Sequence, residues 1–271
     1  MKLERAFSFN YKILHSKLFL LSLSPMKKYF FLLCFFVALV VPNIATAQNQ
    51  KKITFLSTDN AIVTADLYLV NDSLPYMILC HQAGSSRGEY KETARKFCRL
   101  GYNCIAVDLR SGKESNGEIN ETANLAEAKR LPTDFMSSEK DILGAINYAY
   151  NQNGKRVVLV GSSFSASLAL MIAVSNDKVK AVLAFSPGEY IKNVNVAAAV
   201  KKLDKPVFIA STRDEAPKVS TLAKDIISKH KIVFTPATEG EHGSKALWTV
   251  DPSYHEYWLA ILMFMRQVPQ N

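Results

Sequence analysis

The feature that most constrains this chain is a series of short, dominantly apolar runs, of which "YMILC" is continuous. They read "YMILC" (76–80), "CIAVD" (104–108), "RVVLV" (156–160), "VKAVLAF" (179–185) and "PVFIAS" (206–211). A strand exposed on one face alternates polar and apolar residues, whereas a continuous run belongs to a strand covered on both faces. Helical patterns separate the runs, at about 88–100, 138–151, from 164 onward, 217–229 and 253–267. Two amphipathic segments, "KITFL" and "AIVTADLYLV", come before them as a hairpin-like pair, and "KIVFTPA" (231–237) adds a last strand. Strands alternating with helices predict a mostly parallel eight-stranded sheet with helices on both faces. In such sheets ligands bind at the carboxyl ends of the strands, so the search for chemistry narrows to those positions.

The first 47 residues read differently. Met26-Lys27-Lys28 opens a charged segment, Tyr29 to Val41 is unbroken apolar sequence, and Ala45-Thr46-Ala47 has the small-residue spacing of a cleavage site. This is the layout of a secretory signal peptide starting at Met26 and cut after Ala47. Residues 1–25 read as an upstream extension, and 48–271 as a single domain exported to the periplasm or beyond the cell. An uncleaved N-terminal anchor is the alternative, but the apolar run falls short of the ~20 residues that span a bilayer. The leader holds six of the 33 Lys and Arg and one of the 24 acidic residues, so 48–271 carries 27 against 23, a net +4. That excess is scattered, without basic runs or interleaved aromatics, which argues against a nucleic-acid partner. Cys80, Cys98 and Cys104 follow the leader. An odd number at these spacings is neither a disulfide framework nor a zinc site, although an oxidising compartment would allow a Cys98–Cys104 bridge.

After "RVVLV" comes Gly161-Ser162-Ser163-Phe164-Ser165. A nucleophile elbow is a tight strand-to-helix turn that needs small residues two positions either side of its serine. Centring on Ser163 puts Gly161 and Ser165 there; centring on Ser162 would put Val160 and Phe164 there. Helix capping by serine is the plain alternative. A serine hydroxyl needs a base within reach. His230 ends a helix, His255 sits among aromatic residues and is expected to pack, and His81 follows the "YMILC" strand. His242 lies in the loop "TEGEHGSKAL" after the final strand, where a correctly aimed imidazole belongs. The imidazole needs a carboxylate to orient it. "PVFIASTRDEAP" presents Asp214 and Glu215 just past a strand; Asp214 is the expected acid, with Glu189 of "AFSPGEY" in reserve. The residue after the nucleophile, Phe164, supplies one backbone donor for an oxyanion, and the "LCHQAGSSRGEY" loop occupies the place of the other.

His81-Gln82-Ala83-Gly84, "AVDLRSGKES" (106–115), the elbow at Ser163, Asp214 and His242 fall in order at successive strand ends. In this the chain resembles the α/β-hydrolase superfamily, and within it the small dienelactone-hydrolase-like and lysophospholipase-like serine esterases. The resemblance spans residues 51–268. It implies the α/β-hydrolase fold without a large lid domain, with Ala83 and Phe164 as the oxyanion donors and His81 ordering its loop. Together with the leader pattern it implies a secreted serine hydrolase that cleaves esters of small or soluble acyl groups, with no metal or organic cofactor. Peptidase, amidase or acyltransferase chemistry on the same residues is an alternative, as is a binding protein of this fold. Gln82 and Ser165 depart from the family pattern, standing where glycines are usual. The polar stretch 109–135 either borders the pocket or is a solvated excursion; the second reading is preferred.

Overall fold

In the computed structural model, residues 49–269 are described, so the leader and its cleavage site lie outside the described residues. The order of elements begins β1 (Asn49–Leu56), β2 (Ile62–Leu69), β3 (Tyr76–Cys80), α1 (Thr93–Cys98), β4 (Asn103–Val107), β5 (Glu114–Ser115), β6 (Glu118–Ile119) and α2 (Glu121–Ala128). It continues with α3 (Glu139–Asn153), β7 (Val157–Ser162), α4 (Phe164–Ser175), β8 (Val179–Phe185), α5 (Val196–Ala199), β9 (Val207–Ala210), α6 (Ala216–Ala223), β10 (Lys231–Phe234) and α7 (Tyr254–Met265). Eight strands form one sheet in the order β1-β2-β4-β3-β7-β8-β9-β10. β2 runs antiparallel to both neighbours, and every pairing from β4 through β10 is parallel. The eight expected strands are all present.

The continuous apolar runs have a direct structural consequence. Tyr76, Ile78 and Cys80 of β3 pack on one face of the sheet, while Met77 and Leu79 pack on the other. β7 divides in the same way, with Val157 and Leu159 opposite Val158 and Val160. One face is covered by α3, α4 and α6 and the other by α1 and α7. Cys80, Cys98 and Cys104 are free, buried thiols. Between β8 and β9 the chain forms only the four-residue α5, which agrees with the expected lack of a large lid. Among the described residues, no helix is long and apolar enough to cross a membrane.

The segment 109–135 departs in part from the preferred reading: much of it is exposed, but Thr133, Asp134 and Phe135 at its end line a cavity and several residues before them are buried. Arg110 is buried, with its guanidinium on Asp141 (2.7 Å) and Asp59 (2.8 Å). Asn120, also buried, caps α2 by accepting the Ala123 N–H, and its amide donates to the Leu109 carbonyl. Fixed charges and a cap, not apolar periodicity, hold this stretch against the domain, so its polar composition read as solvated. The helix expected at 88–100 is also divided, into a 3-10 turn at Arg87–Tyr90 and then α1. Arg87 turns inward to Asp108 (2.6 Å), and the Tyr90 hydroxyl donates to the Cys80 carbonyl (2.8 Å).

Candidate active site

β7 runs directly into α4 through Ser163, whose backbone lies at φ 59° and ψ −120°. A non-glycine residue in this region is strained by roughly 1–3 kcal/mol, and the surrounding contacts must hold it there. The Ser163 N–H donates to the Phe185 carbonyl at the end of β8 (2.8 Å). Gly161 is required because a Cβ there would meet Ala166 Cα at 2.5 Å and the Ser165 carbonyl oxygen at 2.6 Å. Gly161→Ala is therefore expected to lower folding stability by about 1–3 kcal/mol, as other overpacked sites do, and to reduce activity with it. A urea-denaturation midpoint unchanged from wild type would count against this.

Ser165 does more than supply a small side chain. Its Oγ accepts the Ser162 N–H (2.9 Å) and donates to the Cys80 carbonyl (2.8 Å), tying the elbow to the last residue of β3. The Ser162 hydroxyl accepts the Ser244 N–H (2.8 Å), so it docks the loop that carries His242 beside the elbow. Ser162 is thus more than the turn residue its position suggested.

His242 meets a carboxylate, and that carboxylate belongs to Glu215: His242 Nδ1 hydrogen-bonds Glu215 Oε1. Asp214, the acid expected from sequence, is exposed. Glu189, held in reserve, accepts the N–H groups of Val196 and Ala197 at the start of α5 and is engaged there. The choice between Asp214 and Glu215 is made by the turn leading into α6. The Thr212 hydroxyl accepts the Glu215 N–H, and Glu215 Oε2 accepts the Thr212 N–H, each at 3.2 Å. This reciprocal pair is a capping box, and it aims Glu215 inward. The Thr-x-x-Glu spacing of Thr212 and Glu215 is the sequence signal that would have identified the carboxylate meeting His242.

Ser186, just past β8, completes the support. Its hydroxyl donates to Glu215 Oε2 (2.6 Å) and accepts the Gly243 N–H (3.0 Å). Burial pushes the Glu215 carboxyl up, but the hydrogen bonds from His242, Ser186 and the Thr212 N–H outweigh it and bring its pKa down to about 2. In return the Glu215 bond raises the His242 pKa above the usual 6.5, against the opposing effect of burial. His255 is exposed, its ring against Tyr254, and not packed in the core as expected. His230 is exposed as well.

The "HQAG" loop lies after β3. His81 is buried, with Nδ1 donating to the Gln82 carbonyl (2.7 Å) and Nε2 accepting the Leu109 N–H (2.9 Å). Both ring nitrogens are thereby engaged in ordering the loop. Residues 82–85 form a turn closed by the Ser85 N–H on the Gln82 carbonyl, and Gly84 takes the left-handed position at φ 69°. Ala83 is exposed at the tip of this turn. Phe164 opens α4, where a helix N–H has no acceptor within its own helix. Gln82, in place of a glycine, has its main chain fixed by its neighbours, and its side-chain Oε1 is buried near Gly243.

A cavity of about 480 Å³ is lined by Phe135, Met136 and Tyr190 and by the polar Thr133, Asp134, Lys192 and Asn193, and Phe135 and Tyr190 connect it to the elbow. Phe135 stacks on Phe164 with ring centroids 4.3 Å apart. The Tyr190 ring folds over Gly188, where a Cβ would lie 2.7 Å from the ring, and its hydroxyl faces Ser163. Burial raises the Tyr190 pKa, so the phenol keeps its proton at neutral pH. Sequence reading found neither Tyr190 nor Ser186. Among the described residues, no three His, Cys, Asp or Glu side chains converge as metal ligands would.

The sheet order, the strained strand-to-helix turn at Ser163 and the loops meeting at the strand ends define an α/β-hydrolase fold. The chain belongs to the dienelactone hydrolase family, whose model matches residues 66–233. Among solved structures it is similar to the esterase Pf2001 of Pyrococcus furiosus, at 15% identity and a TM-score of 0.60, over 82% of this chain and 91% of that one. It is also similar to dienelactone hydrolase from Anabaena variabilis, at 14% identity and a TM-score of 0.61, over 82% and 99% of the two chains. A dienelactone-hydrolase-like promiscuous phosphotriesterase from metagenomic libraries matches at 13% identity and a TM-score of 0.58, over 82% and 99%. No curated protein matches the sequence. At such identities the solved structures establish the fold, and the family establishes a hydrolase.

Proposed function

We propose that the chain hydrolyses carboxylic esters through an acyl-enzyme formed on Ser163. One observation carries this reading: a serine held at φ 59° on a strand-to-helix turn, with a His242–Glu215 pair whose histidine loop is docked against that turn. Strain of this kind persists where the surrounding structure enforces it, and it clusters at reactive positions. In the proposed mechanism the Ser163 hydroxyl turns from Tyr190 to His242 Nε2 as substrate enters. His242 takes its proton while Ser163 attacks the ester carbonyl. Glu215 holds the imidazole through Nδ1 and stabilises the cation that forms. The N–H groups of Ala83 and Phe164 receive the oxyanion. His242 then protonates the leaving alcohol, and water repeats the cycle on the acyl-enzyme.

The aromatic floor formed by Phe135 and Tyr190 supports a small acyl group with an apolar face. No large lid has to open before it enters. The leader pattern of residues 26–47 supports action in the periplasm or outside the cell. A fluorophosphonate probe is expected to label the wild-type protein at Ser163, and p-nitrophenyl esters are expected to turn over faster than aminoacyl p-nitroanilides. An unlabelled protein would indicate a binding function instead. Faster anilide cleavage would indicate an amidase.

A further inference from the structure

Glu89 plays no part in the mechanism above, yet its side chain is fully buried at the centre of the site's supports. It lies on the 3-10 turn Arg87–Tyr90. Its Oε2 accepts the Gln82 N–H (3.1 Å) and its Oε1 accepts the Ser244 hydroxyl (2.5 Å). Its main-chain carbonyl accepts the indole N–H of Trp248 (2.9 Å). Gln82 precedes Ala83, and Ser244 follows His242 by two residues. The Ser244 N–H in turn reaches the hydroxyl of Ser162, the residue before the nucleophile. One carboxylate therefore connects the oxyanion loop, the histidine loop and, through Ser244, the elbow.

We propose that Glu89 is a positioning residue that holds the Ala83 loop and the His242 loop in one register and places a fixed negative charge near the imidazole; this rests on the hydrolase reading above. Burying a carboxylate is costly, and a neutral or apolar side chain of similar size often serves stability as well or better. A charge kept at a fully buried position is explained if it acts on a group whose charge changes during turnover. His242 is such a group. Glu215 bonds the ring from the turn before α6, Glu241 accepts the His242 backbone N–H within the same loop, and Glu89 lies on the 3-10 turn bound to Ser244, and all three favour the protonated ring. Among the described residues, Glu215 alone hydrogen-bonds the imidazole. Glu89 acts across the gap and sets where the loop sits.

The test compares wild type, Glu89→Gln and Ser244→Ala by turnover of p-nitrophenyl acetate and by NMR titration of the His242 ring. Glutamine keeps the shape and removes the charge. Glu89→Gln is expected to lower kcat by about 10- to 100-fold, the scale of a small misplacement of reacting groups, with little change in KM. The His242 pKa is expected to fall, because a charge favouring the imidazolium is gone, so the acid limb of the kcat profile moves to lower pH. A purely structural role would lower the melting temperature and leave the imidazole titration where it was. That outcome, or a wild-type kcat, would overturn the proposal. Should Glu89→Gln fail to fold, Ser244→Ala cuts one arm only: a lower kcat with an unchanged melting temperature supports the proposal, and an unchanged kcat overturns it. The NMR titration needs no turnover. An inactive wild-type protein would therefore refute the ester-hydrolase reading while the His242 pKa still decides the role of Glu89.

Discussion

Ser163→Ala is expected to reduce hydrolysis of p-nitrophenyl esters by about four orders of magnitude or more, the scale at which a serine hydrolase loses its nucleophile. The fold should survive the change. Ser163 has an exposure of only 8%, but its structural role rests on its backbone, whose N–H and carbonyl bond Phe185 and the first turn of α4. Alanine leaves these bonds intact. The neighbouring serines are the instructive controls, because each is fixed by its hydroxyl. Ser165→Ala would leave the buried Ser162 N–H without its partner, while the Cys80 carbonyl keeps the Tyr90 hydroxyl, at a cost of about 1–3 kcal/mol in stability for an unsatisfied buried group. Its loss of activity should follow from the distorted elbow and be far smaller. If Ser163→Ala turned over ester at the wild-type rate, the assignment of the nucleophile would fail.

The contrast between these serines shows how far the sequence could be read. The interior strands were visible because burial on both faces demands dominantly apolar runs, and five of them have that form, with Lys180 the one interruption inside β8. Ser163 was visible because the elbow is a steric requirement, and steric requirements appear as small residues at fixed spacing. The hydrogen-bonding roles of Ser162, Ser165 and Ser186 were not, because a hydroxyl's partner lies on another strand or loop and leaves no mark beside it in the chain. Arg110 and Asn120 were read as solvated for the same reason: their partners Asp59, Asp141 and Leu109 are set by the fold. Two adjacent carboxylates posed a different difficulty. Asp214 and Glu215 both follow β9, and the expected acid was Asp214, whereas the carboxylate that meets His242 is that of Glu215. Thr212 resolved it through local capping geometry, a signal that was present in four consecutive residues.

Glu215→Gln is expected to lower kcat by about 10,000-fold, as loss of the orienting carboxylate does in a serine triad, while Asp214→Asn stays within about twofold of wild type, as expected for an exposed side chain without a role in the pair. The amide would still occupy the turn beside Thr212, but it removes the charge that the imidazolium needs. The pH behaviour separates this effect from a loss of fold. In the wild type the raised His242 pKa puts the acid limb of kcat/KM above 6.5, since the base must be free. Removing the carboxylate takes away the main cause of that rise, and the limb should move to lower pH. Stability should respond as well, with signs fixed by the two shifts. The depressed Glu215 pKa contributes stability that is present above its unfolded value of about 4.3 and is lost as pH falls toward about 2. The raised His242 pKa contributes stability that is present below about 6.5 and is lost as pH rises through the folded value. The pair therefore stabilises most where both groups are charged, between about pH 4.3 and 6.5. Melting curves of wild type and Glu215→Gln should differ most in that interval and converge on either side. An equal difference at every pH, or a larger activity loss from Asp214→Asn than from Glu215→Gln, would show that Glu215 is not the acid.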